Sequence, residues 1–117
     1  MKRQNAVDFE RVARAVEEGG LFRDRNLSVD SLAAQLHTNR TAIYEAISSA
    51  GTNFSQFVGT IRARYALDLL RQKDLRNIKV ADIAEMSGFS NSRHMNSYIR
   101  KIVGVNAHDF RLRVFGG

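Results

Sequence analysis

Through most of the chain apolar residues return every three or four positions, the spacing that keeps them on one face of an α-helix. From Asp8 onward, Phe9, Val12, Ala13 and Val16 predict a first helix that Gly19-Gly20 closes. Val29, Leu32, Ala33 and Leu36 predict a second, with Ser28 or Asp30 available as its cap. Asn39 can cap a third that runs to about Ala50 and stops at Gly51. A long helix is predicted from near Asn53 to about Lys73, with Phe54, Phe57, Val58, Ile61, Tyr65, Ala66, Leu69 and Leu70 on one broad stripe. The pattern resumes at Lys79-Val80, turns at Ser87-Gly88-Phe89, and continues as a helix from about Asn91 to Val103 that Gly104 stops. A last short helix, near Ala107 to Val114, places Ala107, Phe110 and Val114 inward. No segment alternates as a half-buried strand would, so the predicted fold class is all-α.

Within this series one local pattern occurs twice. Asp30-Ser31-Leu32-Ala33 matches Ala81-Asp82-Ile83-Ala84, the turn at His37-Thr38 matches Gly88-Phe89, and Ile43 with Ile47 matches Met95 with Ile99. The second copy carries one extra residue after its turn. A helix-turn-helix needs a small residue where its first helix crosses its second, a short turn, and apolar positions four apart that hold the second helix on the core. Ala33 and Ala84 meet the first demand, and the paired apolar positions meet the last. The expected organisation is an arm and leading helix over 1–26, a first helix-turn-helix subdomain over 27–52, a long linker helix over 53–74, and a second helix-turn-helix with its closing helix over 75–117.

Composition narrows what such a chain can do. Lysine and arginine exceed aspartate and glutamate by enough to give 117 residues a formal charge of +6, which favours a polyanionic partner. Cysteine is absent, which excludes disulfides, thiolate catalysis and thiolate zinc sites, and with them a zinc finger. The lack of proline suits compact turns between helices. No apolar run approaches the roughly twenty residues a membrane span requires, and no apolar stretch follows Met1-Lys2-Arg3 as a secretion signal would. A cytoplasmic location and no membrane partner for this segment are therefore expected. His37, His94 and His108 lack ligand partners at metal spacing and read as solvated or capping residues. There is no glycine-rich phosphate loop, nucleophile elbow or paired-carboxylate arrangement, so no catalytic residue, cofactor or metal is assigned and an enzyme is not expected.

Over about Leu27 to Arg111 the sequence resembles the DNA-binding domain of the AraC/XylS family of bacterial transcription regulators. The segment Ile83-Ala84-Glu85-Met86-Ser87-Gly88-Phe89-Ser90-Asn91, then Arg100-Lys101-Ile102-Val103-Gly104-Val105 and Phe110-Arg111, follows the family's order of an Ile-Ala pair, a Gly-Phe turn, a basic pair, a glycine and an aromatic-arginine close. Gly51, Phe57, Arg62, Ala66 and Leu69-Leu70 fall where the family joins its two units by a long helix. The chain departs from the pattern at Asn106, where proline is usual, and at Ile47 and Ile99, where phenylalanine is common. These are changes of packing and turn.

The resemblance implies sequence-specific double-stranded DNA binding for transcription regulation, with the second helix of each unit in successive major-groove segments about 34 Å apart. Base-reading positions would be Arg40, Thr41, Tyr44 and Glu45 in the first unit, and Ser92, Arg93, Asn96 and Ser97 in the second. Arginine can grip guanine, asparagine adenine, and glutamate can accept from the cytosine amino group. Lys79, Arg100, Lys101 and Arg111, with the helix starts near Asn53 and Asn106, would hold phosphates. Plainer readings stand beside these: Arg93 and Asn96 can lie on a solvated helix face, Tyr44 can pack back between helices, Glu45 can repel phosphates or orient Arg40, and Arg62 and Arg64 can form structural salt bridges. Because the two units differ in sequence, one subunit would read an asymmetric site. The isolated domain is expected to be monomeric. RNA polymerase is implied as a partner of an intact regulator, and the helix before the first unit resembles the segment that precedes the reading units in longer members, as in a C-terminal domain, with a naturally short regulator as the alternative. A helical protein-interaction module, or a non-specific polyanion binder, would carry the same charge. Such a protein has no reason to place polar readers on the exposed faces of both second helices.

Overall fold

A computed structural model describes residues 7–116, all of them in helices, turns or irregular connections with no strand. The α-helices are α1 (Phe9–Glu17), α2 (Val29–Gln35), α3 (Arg40–Ser49), α4 (Phe54–Arg71), α5 (Val80–Met86), α6 (Ser92–Val103) and α7 (Ala107–Val114), with short 3₁₀ turns at Leu21–Arg23 and Lys73–Leu75. The chain divides into two compact units, one ending at Val58 and the other beginning at Gly59, so the division falls inside α4.

In the first unit α1 and α2 both pack on α3. The Asp8 side chain accepts from the Arg11 amide at the start of α1, and Val12 and Val16 are its fully buried positions. Ser28, not Asp30, caps α2, through a reciprocal arrangement in which Ser28 and Ser31 each accept the other's backbone amide. Leu32, Ile43 and Ile47 close the centre of the unit, and Phe9 meets Phe57 edge-on with ring centroids 5.2 Å apart.

In the second unit α6 packs against α5 and α7. Its core joins Ala66, Leu67, Leu69 and Leu70 of α4 to Ile83, Phe89, Met95, Ile99 and Ala107. α4 is buried well beyond the predicted stripe, since Arg62, Ala63 and Leu67 are inside as well. It also ends two residues early. Gln72 turns extended and a 3₁₀ turn takes up Lys73 to Leu75. One inward assignment fails: Val114 is 40% exposed. Seven residues after Ala107 it lies on the same side of α7, but about 10 Å farther along the axis. Ala107 is buried and Phe110 half-buried, so burial declines along the helix before Val114 is reached.

Gly59 shows a constraint that periodicity does not reveal. A glycine inside a helix costs about 1 kcal/mol relative to alanine. Here a methyl group on Gly59 would overlap Cε1 and Cζ of Tyr98, so the helix gives up propensity to let that ring in. The ring is packed against Phe89 and His94, at centroid distances of 6.0 Å and 5.6 Å. Gly59→Ala is expected to destabilise by about 1–3 kcal/mol through overpacking. In a Tyr98→Ala background the same change should become stabilising by up to about 1 kcal/mol, because only the propensity difference remains. Denaturant unfolding of the four variants checks this, and equal effects in both backgrounds would refute the close-approach argument.

Candidate nucleic-acid interface

The two helix-turn-helix units are built alike and locked differently. Residues 36–39 connect α2 to α3, and residues 87–91 connect α5 to α6, so the second turn is one residue longer. Asn39 caps α3 by accepting the Ala42 amide, and Asn91 caps α6 by accepting the His94 amide. Each turn passes through the left-handed region, at His37 (φ 55°) in the first unit and Gly88 (φ 91°) in the second. Glycine takes that conformation without strain, whereas His37 carries a side-chain penalty. In the second turn Phe89 is driven into the core, and the buried Ser87 hydroxyl donates to the Ile83 carbonyl at 2.8 Å. Lys79 stands at the N-cap of α5 without a capping side-chain bond, leaving its ammonium exposed.

Buried residues fix which faces α3 and α6 present. Ile43, Ala46 and Ile47 turn one side of α3 inward, which leaves Arg40, Thr41, Tyr44 and Glu45 on the exposed side. Tyr44 is 49% exposed and so does not pack back between the helices. The Arg40 guanidinium is bound to Asp30, Nε to Oδ1 at 2.9 Å and Nη2 to Oδ2 at 2.6 Å. That hydrogen-bonded pairing holds the Asp30 carboxyl below its ordinary value of 3.8 and pushes Arg40 up. On α6, Met95 and Ile99 face inward and Arg93 is exposed, with no hydrogen bond or ion pair among the described residues.

The remaining positions on α6 are more committed than their sequence implies. Asn96 is half-buried, and its Oδ1 accepts the Ala107 amide at 2.8 Å, which ties the middle of α6 to the start of α7. That bond fixes the side-chain amide against α7 and leaves one Oδ1 lone pair and the Nδ2 donors for a base. Ser97 is exposed, with its hydroxyl donating to the His94 carbonyl, and Ser92 is half-buried. His94, expected to be solvated, is exposed but rests edge-on against Phe89 at 5.3 Å.

Among the phosphate candidates, Arg100 and Lys101 are exposed in the last turn of α6, where positive charge also complements the helix dipole. The Lys101 ammonium lies over the Tyr98 ring at 5.1 Å. Arg111 is half-buried, with Nη1 donating to the Ile78 carbonyl at 2.6 Å, so it fastens α7 to the segment before α5. Asn53 and Asn106 cap their own helices by accepting the Gln56 and Asp109 amides, which leaves fewer free amides at those ends for a phosphate. Arg62 is buried and Arg64 exposed. The commitments of Asn96 and Arg111 had no signal in the local sequence, because their partners lie 11 and 33 residues away. No group of histidine and carboxylate side chains among the described residues could hold a metal ion, and no described helix is long and apolar enough to cross a membrane.

A family model for a helix-turn-helix domain matches residues 32–113, well over half of the chain. The chain belongs to the AraC family of helix-turn-helix transcription regulators. Over 105 residues the AraC-type chain is 30% identical to the ornithine utilization regulator of Pseudomonas aeruginosa, a match that covers 82% of this chain and 30% of that protein. It is 23% identical over 92 residues to the TCP pilus virulence regulatory protein of Vibrio cholerae, covering 79% of this chain and 32% of that one. The chain thus spans about a third of the length of these relatives. Its fold is that of the C-terminal domain of AraT, a response regulator from Geobacillus stearothermophilus, with a TM-score of 0.75 and 20% identity over 95% of this chain and 88% of that one. The DNA-binding domain of the global transcriptional factor AdpA, solved in complex with a target DNA, matches with a TM-score of 0.76 and 20% identity over 94% of this chain and 96% of that chain.

Proposed function

We propose that the AraC-type chain regulates transcription by sequence-dependent binding to duplex DNA, with α3 and α6 each entering a major-groove segment. The observation that carries this reading is the exposed polar face on the N-terminal half of both helices, each held on its core by a capped start and a short turn. Membership of the AraC family and fold similarity to a domain solved on its target DNA support it. Arg93, Thr41, Tyr44 and Glu45 are the readers this geometry favours. Lys79, Arg100 and Lys101 are the holders. Because α3 and α6 carry different side chains, the site is asymmetric and one monomer suffices to read it. The function is binding without catalysis. It is placed in the cytoplasm, with RNA polymerase as the partner of the intact regulator.

Selection of bound duplexes from a random library tests specificity and asymmetry together. Recovery of unrelated sequences would leave a non-specific polyanion binder as the better account. Readers and holders separate in a second measurement. Arg93→Ala should relax preference at one base pair by about 1–3 kcal/mol if the side chain grips a guanine. Lys101→Ala should weaken all duplexes nearly equally and reduce the salt slope by about one. If Arg93→Ala lowered affinity uniformly with base preference intact, that arginine would belong among the holders.

A further inference from the structure

The two exposed arginines at the starts of α3 and α6 are in different states. Arg93 makes no hydrogen bond or ion pair among the described residues, whereas Arg40 is held from the side by both oxygens of Asp30. This clasp runs between the first residue of α3 and the second of α2. At the corresponding places in the second unit stand Ser92 and Ala81, which cannot form it. Both partners are well exposed, with side-chain accessibilities of 62% and 65%. An exposed pair contributes little to stability, and a carboxylate in the first turn of α2 complements the helix dipole whether or not it touches Arg40, so folding does not require the two-point contact beside the candidate reading face of a chain whose charge is +6. The pairing engages the Nε edge of the guanidinium and leaves its outer N–H groups, the fork that fits guanine O6 and N7, without a hydrogen bond among the described residues.

We propose that Asp30 is a positioning residue that makes Arg40 a base reader, by holding the guanidinium with its outer edge presented and by keeping it from neighbouring phosphates. This rests on the DNA-reading function proposed above. Without Asp30, Arg40 would sample more rotamers, including ones that reach phosphate oxygens instead of a base edge. The carboxylate removes that freedom and repels the backbone. Asp30 therefore trades affinity for discrimination in the first unit.

The test compares the wild-type chain with Asp30→Ala, Asp30→Asn, Arg40→Ala and the Asp30→Ala/Arg40→Ala double variant, on the duplex selected by the wild type, its single-base substitutions and a scrambled duplex. Asp30→Ala and Asp30→Asn are expected to lose preference at one base pair by at least about fivefold. Both should also bind the scrambled duplex more tightly at low salt, with a salt slope steeper by about one. Arg40→Ala should lose preference at the same base pair, and the double variant should lose no more. Thermal midpoints should stay close to wild type, as for any exposed pair. Retained preference in the Asp30 variants, or no gain on the scrambled duplex, overturns the clasp while leaving DNA reading intact. A wild type that does not discriminate between duplexes overturns the DNA-reading proposal itself, and the clasp with it.

Discussion

Raising salt from about 50 to about 200 mM is expected to lower the chain's affinity for duplex DNA about a thousandfold or more, the loss that follows when six or more phosphates are neutralised. A charge of +6 sets the scale. Its distribution matters as much. Lys79, Arg100 and Lys101 are exposed and able to reach a phosphate, whereas Arg111 is tied to the Ile78 carbonyl and Arg40 to Asp30. If the tied arginines stay where they are, the slope is carried by lysines and the remaining free arginines. Hydrogen bonds to base edges release no counterions, so an affinity that hardly changes with salt would mean that base contacts alone hold the complex, against the holder assignments. Fluorescence anisotropy on a selected duplex at several salt concentrations reads the slope directly.

Phe89→Ala is expected to destabilise the second unit by about 3–5 kcal/mol, the range for truncating a fully buried aromatic side chain. Domains of this size hold only about 0.05–0.15 kcal/mol per residue, so a loss of that order consumes most of the stability of a unit beginning at Gly59. Phe89 is 1% exposed, lies in the turn between α5 and α6, and packs against His94 and Tyr98 of α6. DNA binding should therefore disappear together with the unfolding transition. Leu69→Ala, at a residue 6% exposed on α4, should cost about 2–5 kcal/mol by the same mechanism. Loss of binding by Phe89→Ala with an unchanged thermal transition would show that the turn acts on the DNA rather than on the core.

Helix positions, caps and turns were legible from residue order. Asn39 caps α3 as its position predicts, Ser28 takes the place that Ser28 and Asp30 both offered, and Asp8, Asn53, Asn91 and Asn106 cap their helices in the same way, because a cap is a bond to an amide three residues on. The inward faces of α3 and α6 followed from apolar positions four apart, and the longer second turn from aligning the two copies. These signals are local, so they survive whatever the rest of the chain does. The state of each polar side chain on those faces was not local. Asn96 and Arg93 look equally available three residues apart on α6, but folding brings the Ala107 amide to one, whereas the other has no hydrogen bond or ion pair among the described residues. Asp30 meets Arg40 only because the turn after α2 returns the chain across its own start. Gly59 looks like a weak point in a helix until Tyr98 is laid against it. Spacing specifies which side of a helix faces water. Which hydrogen-bonding group waits there is set by elements that arrive from elsewhere in the chain, and that arrangement decides whether an exposed arginine is free, clasped or fastened.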